Sequence, residues 1–241
     1  MRIHRVYTSA GLEPGAGVAL EGQQAHYLGR VLRVAQVQRV VLFNGDGRDY
    51  VCEIHRAGKN SLELEVMSRL PARAESPLGI TVVQAVSRGE RMDQTLQKCT
   101  ELGAVAFQPL WSDRVEVKLK GEKLDKRQRH WQSVVVSACE QSGRAVVPEV
   151  RPALSLAEYL SLDCDASRLV LAPGAGQALS RLERVACVDL LVGPEGGFSD
   201  NELSRASDSG VTPVSLGPRI LRTETAAPAA VAVLQAGHGD L

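Results

Sequence analysis

Apolar and polar residues alternate along the first seventy positions. Residues 2–7 alternate, residues 61–67 place Leu62, Leu64 and Val66 on one side, and residues 37–43 and 49–55 are two further β-type runs. The last two flank Asn44-Gly45-Asp46-Gly47-Arg48, whose Asn-Gly and Asp-Gly dipeptides predict a hairpin. Between the first strands, Leu28, Val31 and Leu32 share a helical face that leaves His26, Arg30 and Arg33 elsewhere on the segment. This region reads as a small β-barrel. Residues 70–79 carry two prolines and little periodicity, which places a domain boundary there.

Beyond the boundary the period changes. A strand at 80–86, a helix at 92–102 closed by Gly103 and a strand at 105–110 form a βαβ unit, and so predict a parallel sheet with helices on its faces. Leu96, Cys99 and Leu102 form the buried stripe of that helix. Trp131, Val134, Val135 and Ala138 recur at helical spacing in a second helix ending near Gly143, with Glu140, Gln141, Ser142 and Arg144 at its end. Its start is a basic run, Lys118, Lys120, Lys123, Lys126, Arg127 and Arg129, which reads first as a solvated face and second as an RNA-facing patch. Strands follow at 168–172, 188–192 and 213–216. The second is almost wholly apolar, as a central parallel strand is.

Two glycine- and proline-marked turns leave the last two strands: Gly193-Pro194-Glu195-Gly196-Gly197 and Leu216-Gly217-Pro218-Arg219. Ser199 and Glu202 then have the spacing of a capping box, so a helix starts at Ser199 and residues 193–198 are a strand-to-helix connection, where ligands bind in such sheets. Gly174-Ala175-Gly176 lacks the third glycine of a dinucleotide turn, and a nucleotide-dependent oxidoreductase would rest on it alone.

Composition narrows the picture a little. Lys+Arg and Asp+Glu are 28 each in 241 residues, so net charge names no partner. Residues 1–73 hold 10 basic and 7 acidic side chains, which permits nucleic-acid contact from the front half. Five separated cysteines without a CxxC pair argue against a disulfide framework or zinc site and for buried reduced thiols. No signal peptide or membrane span is apparent, so a cytoplasmic location is expected.

Leu191-Val192-Gly193-Pro194-Glu195-Gly196-Gly197-Phe198-Ser199 and Leu216-Gly217-Pro218-Arg219-Ile220-Leu221-Arg222-Thr223-Glu224-Thr225-Ala226 closely resemble the paired signatures of the RsmE family. That family comprises 16S rRNA uracil-N3-methyltransferases of the SPOUT (trefoil-knot) superfamily. Arg91-Met92-Asp93, Gln97-Lys98-Cys99-Thr100-Glu101-Leu102-Gly103, Ala138-Cys139-Glu140-Gln141-Ser142-Gly143-Arg144 and Arg2-Ile3-His4-Arg5 agree with it too. One departure is Val6, where the pattern carries an aromatic residue.

The resemblance implies a PUA-like β-barrel for RNA over residues 1–72. Residues 73–241 would form an α/β domain with a mostly parallel sheet, helices on both faces and a deep C-terminal trefoil knot. It also implies S-adenosylmethionine as cofactor, a homodimer through the knots, and 16S rRNA, in the small ribosomal subunit or its late precursor, as partner, with neither membrane nor metal. Cofactor contacts are expected from Leu171, Gly193, Pro194, Glu195, Gly196, Leu216, Gly217, Ile220, Leu221, Arg222, Thr225 and Ala226. RNA contacts are expected from Arg2, Arg5, His26, Arg30, Arg33, Arg88, Lys98 and Arg144. Arg222 and Glu224 are the catalytic candidates.

Uracil N3 carries a proton, and its loss spreads negative charge over N3 and two carbonyl oxygens. A guanidinium such as Arg222 stabilises that anion while staying protonated. Glu224, Glu140, Glu195 or water could take the proton. A SPOUT enzyme acting on another RNA or base atom, and a non-catalytic RNA-binding protein, are the alternatives.

Overall fold

The computed structural model describes residues 4–22, 25, 28, 38–58, 61–117 and 119–241. Arg2, His26, Arg30, Arg33 and Lys118 lie outside them, as does the helical segment expected at 25–33 apart from Ala25 and Leu28. The chain divides into two compact units: residues 1–75 with 139–147, and residues 76–138 with 148–241.

The first unit is built on β1 (Arg5–Tyr7), β2 (Gly17–Glu21), β3 (Arg39–Phe43), β4 (Tyr50–Ala57) and β5 (Ser61–Arg69), in the sheet order β1-β3-β4-β5-β2. β1 runs parallel to β3 and the other pairs are antiparallel. The alternation in β5 does what its period dictates: Leu62, Leu64 and Val66 are buried, with Val18, Leu20, Val40, Leu42 and Ile54 among the residues packed with them. Val6, at the departure from the family pattern, is also in this core. The hairpin turn is closed by the Asp46 and Arg48 N–H groups, which donate to the Asn44 and Asp46 side chains at 3.3 and 2.9 Å.

Arg5 joins residues far apart in sequence within this unit. Its guanidinium lies 3.8 Å from the Phe43 ring centroid. It donates to Asp49 Oδ1 at 2.7 and 2.9 Å, to the Cys139 carbonyl at 2.6 Å and to the Arg144 carbonyl at 2.7 Å. Arg144 in turn is ion-paired with Glu75.

The second unit is a parallel sheet. β6 (Gly79–Ala85), β7 (Ala106–Trp111), β8 (Glu149–Val150), β10 (Ser167–Leu171), β11 (Cys187–Val192) and β12 (Thr212–Val214) lie in the order β12-β10-β11-β6-β7-β8, and β9 (Leu154–Ser155) pairs with β7. The helices are α1 (Arg91–Glu101), α2 (Glu122–Ser142), whose residues from 139 onward belong to the first unit, α3 (Leu156–Leu160), α4 (Asp200–Asp208) and α5 (Thr223–His238). β11 sits between β10 and β6 and is buried from Val188 to Val192, which accounts for its nearly all-apolar run; the exception, Asp189, accepts from the Tyr159 hydroxyl at 2.7 Å.

α1 buries Leu96 and Cys99 as its spacing predicts, and Met92 besides, but Leu102 is only half-buried because it is the C-cap residue beyond the last turn. The predicted capping box forms: Ser199 Oγ accepts from the Glu202 N–H at 3.2 Å, and Glu202 Oε2 accepts from the Ser199 N–H at 2.8 Å.

The cysteine expectation needs correction. All five are free, but only Cys52, Cys99 and Cys139 are buried, while Cys164 and Cys187 are exposed. Burial pushes the Cys52 and Cys139 thiols up to about 11.

Candidate active site

Parallel pairing brings three strand ends together. Val170 lies beside Leu191 and Pro213, and Leu171 beside Val214, so the chain leaving β10, β11 and β12 emerges at one edge of the sheet. The cleft there measures about 600 Å³, within the ~300–1,000 Å³ usual for small-molecule sites. Leu171, Ala172 and Pro173 wall it from β10, residues 192–198 from β11, and Leu216, Gly217 and residues 219–224 from the segment after β12.

Both turns need glycine. Gly217 has φ +93°, a left-handed backbone that side chains rarely adopt. At Gly193 a Cβ would lie 3.1 Å from Gly197 Cα and from Phe198 N, so a side chain there would push the turn apart by a few tenths of an ångström.

The loop after β11 is held from outside. Glu195 accepts from Arg91 Nη1 at 2.6 Å and from the Arg88 N–H at 3.2 Å. Burial pushes its carboxyl up, but its own backbone N–H, the Arg91 guanidinium and the Arg88 N–H outweigh that, and its pKa ends below the ordinary carboxylate value. Opposite, Arg114 Nη1 donates to the Gly196 and Phe198 carbonyls at 2.7 and 3.3 Å. Its stem packs so closely that a Cβ on Gly196 would be 3.3 Å from Arg114 Cδ. Asp113 adds a bond from Ser199 Oγ at 2.8 Å.

The segment after β12 is different. Arg219, Ile220 and Arg222 are exposed, and neither guanidinium has a hydrogen-bond or ion-pair partner among the described residues. Arg222 occupies the N-cap of α5 without a side-chain cap. A cation at that end opposes the helix dipole, so helix stability does not explain its presence.

A buried polar chain joins the two loops. Thr223 Oγ1 donates to the Gly193 carbonyl at 3.0 Å and accepts from Gln84 Nε2 at 3.0 Å, while Gln84 Nε2 also approaches the Val192 carbonyl at 3.4 Å.

The three carboxylates weighed as proton acceptors separate by environment. Glu195 is ion-paired and acidic. Glu140 belongs to the first unit, where its carboxylate accepts from the Tyr7 N–H at 3.0 Å and burial raises its pKa. Glu224 lines the cleft in the first turn of α5. Its side chain is 15% exposed, Arg91 Nε lies 3.8 Å from Oε2, and that oxygen is buried without a hydrogen bond.

Of the expected cofactor contacts, all but Thr225 line the cleft, as do Arg222 and Glu224. The expected RNA contacts scatter. Arg5 and Arg144 are not displayed: their side chains are 10% exposed and committed to Asp49, Glu75 and main-chain carbonyls inside the first unit. Arg88 and Lys98 are exposed, Arg88 in an ion pair with Glu116. Among the basic run, Lys120, Lys123, Lys126 and Arg129 are exposed and Arg127 is half-buried.

Reasoning from sequence gave no role to Arg91, Arg114, Ala172, Pro173, Phe198 or Arg219, all of which line the cleft. For Ala172 and Pro173 the signal was their place directly after a strand. Arg114 offered none. Among the described residues, no group of three or more His, Cys, Asp or Glu could hold a metal, and no helix is long and apolar enough to cross a membrane.

Comparison with known proteins agrees with this geometry. Residues 74–235 match the model of the RNA methyltransferase domain, and residues 20–67 that of the RNA methyltransferase PUA domain. The ribosomal RNA small subunit methyltransferase E of Buchnera aphidicola subsp. Schizaphis graminum (strain Sg) is 34% identical, over 100% of this chain and 98% of that protein. The crystal structure of the enzyme of that name from Neisseria gonorrhoeae, bound to S-adenosyl methionine, has a TM-score of 0.93 at 37% identity, with 100% of each chain covered. A Legionella pneumophila protein in complex with the bound cofactor SAM reaches 0.97 at 39% identity, again over 100% of both chains. The five-stranded region is thus the PUA-like domain and the parallel sheet the SPOUT-type domain. With both domain models matched in order and relatives aligned from end to end, the chain belongs to the RsmE family of ribosomal RNA small subunit methyltransferases.

Proposed function

We propose that this chain methylates N3 of a specific uridine in 16S rRNA, with S-adenosylmethionine bound between the two glycine loops. The observation that carries the chemistry is a pair of charged groups two residues apart at the cleft: the guanidinium of Arg222, without a partner among the described residues, and the carboxylate of Glu224, whose Oε2 makes no hydrogen bond and has Arg91 Nε at 3.8 Å. A base that must lose a proton and carry negative charge needs both.

The cleft suits the cofactor in size, and the carboxylate of Glu224 at its wall suits a ligand with positive charge on its sulfonium and amino groups. Main-chain N–H and C=O groups of Leu216, Ile220 and Leu221 would hold the adenine edge. Gly193, Pro194, Glu195 and Gly196 would bound the other side, with Leu171 beneath and Ala226 behind. When bound, S-adenosylmethionine supplies an electrophilic methyl group, so the chain needs no covalent nucleophile.

The chain's own task is to make N3 nucleophilic. Arg222 donates to the uracil oxygens on which the charge develops, lowering the cost of ionising the base. The Glu224 carboxylate takes the N3 proton, and Arg91, 3.8 Å from its buried Oε2, fixes the side chain. Glu195, acidic and already paired with Arg91, holds its loop instead.

The PUA-like domain, taken as residues 1–72, would bring the rRNA to the methyltransferase domain, residues 73–241, through Arg2, His26, Arg30 and Arg33. Arg88 and Lys98 would contribute from the second domain. A cytoplasmic homodimer packed through C-terminal knots completes the reading, supported by the family. Nucleoside mass spectrometry of 16S rRNA from a strain lacking the gene tests the function directly. Loss of 3-methyluridine, restored by the wild-type chain, is expected. An unchanged 3-methyluridine signal would overturn it, and loss of a different methylated nucleoside would redirect it.

A further inference from the structure

The rim of the cleft displays an apolar side chain between two unpaired cations. Ile220 is 85% exposed, whereas the buried cores of both units hold most of the chain's large aliphatic residues. Arg219 precedes it and Arg222 follows two residues later, both exposed and both without a partner among the described residues. The remaining arginines of the cleft, Arg91 and Arg114, are committed to Glu195 and to the Gly196 carbonyl. The cleft therefore separates arginines that build it from arginines that face outward.

An exposed isoleucine loses by facing water, and two unpaired guanidinium groups beside it add nothing to the fold. The combination fits one ligand chemistry well. A nucleotide presents an apolar base face and an anionic phosphate within a few ångströms of each other, and apolar side chains are the usual wedges and platforms for bases turned out of a stack. A second protein surface fits less well, because covering Ile220 would desolvate Arg219 and Arg222 with no compensating charge on their own side of the contact.

We propose that Arg219 and Ile220 form the seat of the target nucleotide. The Ile220 side chain stacks under the extruded base, and Arg219 binds a phosphate beside it, while Arg222 serves the ionising edge. Ile220 thereby acts in two directions, its main chain toward the cofactor and its side chain toward the RNA. The proposal rests on the function proposed above.

The test uses the full-length protein with small ribosomal subunit RNA and labelled S-adenosylmethionine. Ile220→Ala is expected to lower kcat/KM for RNA by about tenfold, the scale of one base-stacking contact. Arg219→Gln is expected to weaken RNA binding and to reduce the slope of log affinity against log salt by about one phosphate contact. For both, the Kd for S-adenosylmethionine by calorimetry should stay within twofold of wild type, and the mass by light scattering should be unchanged.

Unchanged RNA kinetics in an active protein would overturn the proposal while leaving the proposed function intact. A cofactor Kd raised in parallel with the RNA effect would assign the Ile220 side chain to the cofactor, and a changed oligomeric mass would assign it to a protein interface. Either result overturns it too. A wild-type protein that transfers no methyl group to the RNA would remove both readings together.

Discussion

The two glycine loops of the cleft are built from similar residues and held in opposite ways. The loop after β11 is braced: Glu195 by Arg91 and Arg88, Gly196 and Phe198 by Arg114, Ser199 by Asp113. The segment after β12 has a left-handed glycine and a proline to set its course, but the side chains of Arg219 and Arg222 have no partner among the described residues. A ligand that must be bound the same way at every turnover benefits from the first arrangement, because the ordering entropy is lost on folding rather than on binding. A substrate that is a large RNA needs free donors, and the second arrangement supplies them. On the proposed reading, the braced lip serves the cofactor alone, while the second offers its main chain to the cofactor and its arginine side chains to the substrate.

If that division holds, variants of the two lips should fail differently. Arg222→Ala should give the largest loss, with turnover down by about 10²–10³, the usual scale for one charge-stabilising donor, and cofactor affinity nearly intact. Turnover within a few-fold of wild type would break the assignment. Glu224→Gln should follow, with single-turnover methyl transfer down by about 10² and RNA affinity unchanged. Retained activity would point to water as the acceptor.

Arg114→Ala removes a brace from the other lip. It should raise the Kd for S-adenosylmethionine by about fivefold, one exposed charged hydrogen bond, with little change in turnover at saturation. If it instead lowered turnover at saturating cofactor as Arg222→Ala does, the two lips would not be functionally distinct.

The smallest effect is on pH. The folded pKa of Glu195 lies below its unfolded value, so its contribution to stability is fully present above the unfolded pKa and is lost as pH falls through the folded one. Cofactor affinity, followed by calorimetry in mildly acidic buffers, should therefore hold down to about pH 5 and weaken below pH 4. Glu195→Gln should flatten that decline.

Features set by neighbours in sequence were legible beforehand. The Ser199 capping box, the hairpin at 44–48 and the apolar run of β11 depend on residues a few positions apart, and each forms. The glycine loops were visible for the same reason. Features set by the sheet order were not: Arg114 acts on Gly196 across 82 positions, and only the placement of β6 between β7 and β11 brings those strand ends near each other. Arg5 and Arg144 show the converse. The family resemblance suggested RNA contacts for them, and the Asp49, Glu75 and carbonyl groups that engage their side chains come from distant segments. Charge can be read from a string of residues, but its partners cannot.

The short chain of bonds from Gln84 through Thr223 to Gly193 has a mechanical consequence. Thr223 starts α5 and Gly193 starts the loop after β11, so one hydroxyl pins the roots of both lips at a buried point. Neither loop can swing wide without breaking the same bond, and Gln84 Nε2, which also donates to the Ala85 carbonyl at 3.0 Å, anchors that hydroxyl to the sheet. With Arg91 reaching both Glu195 and Glu224 nearer the surface, the cleft behaves like a clasp riveted at two depths: its two sides admit or release a ligand together, however differently they grip it.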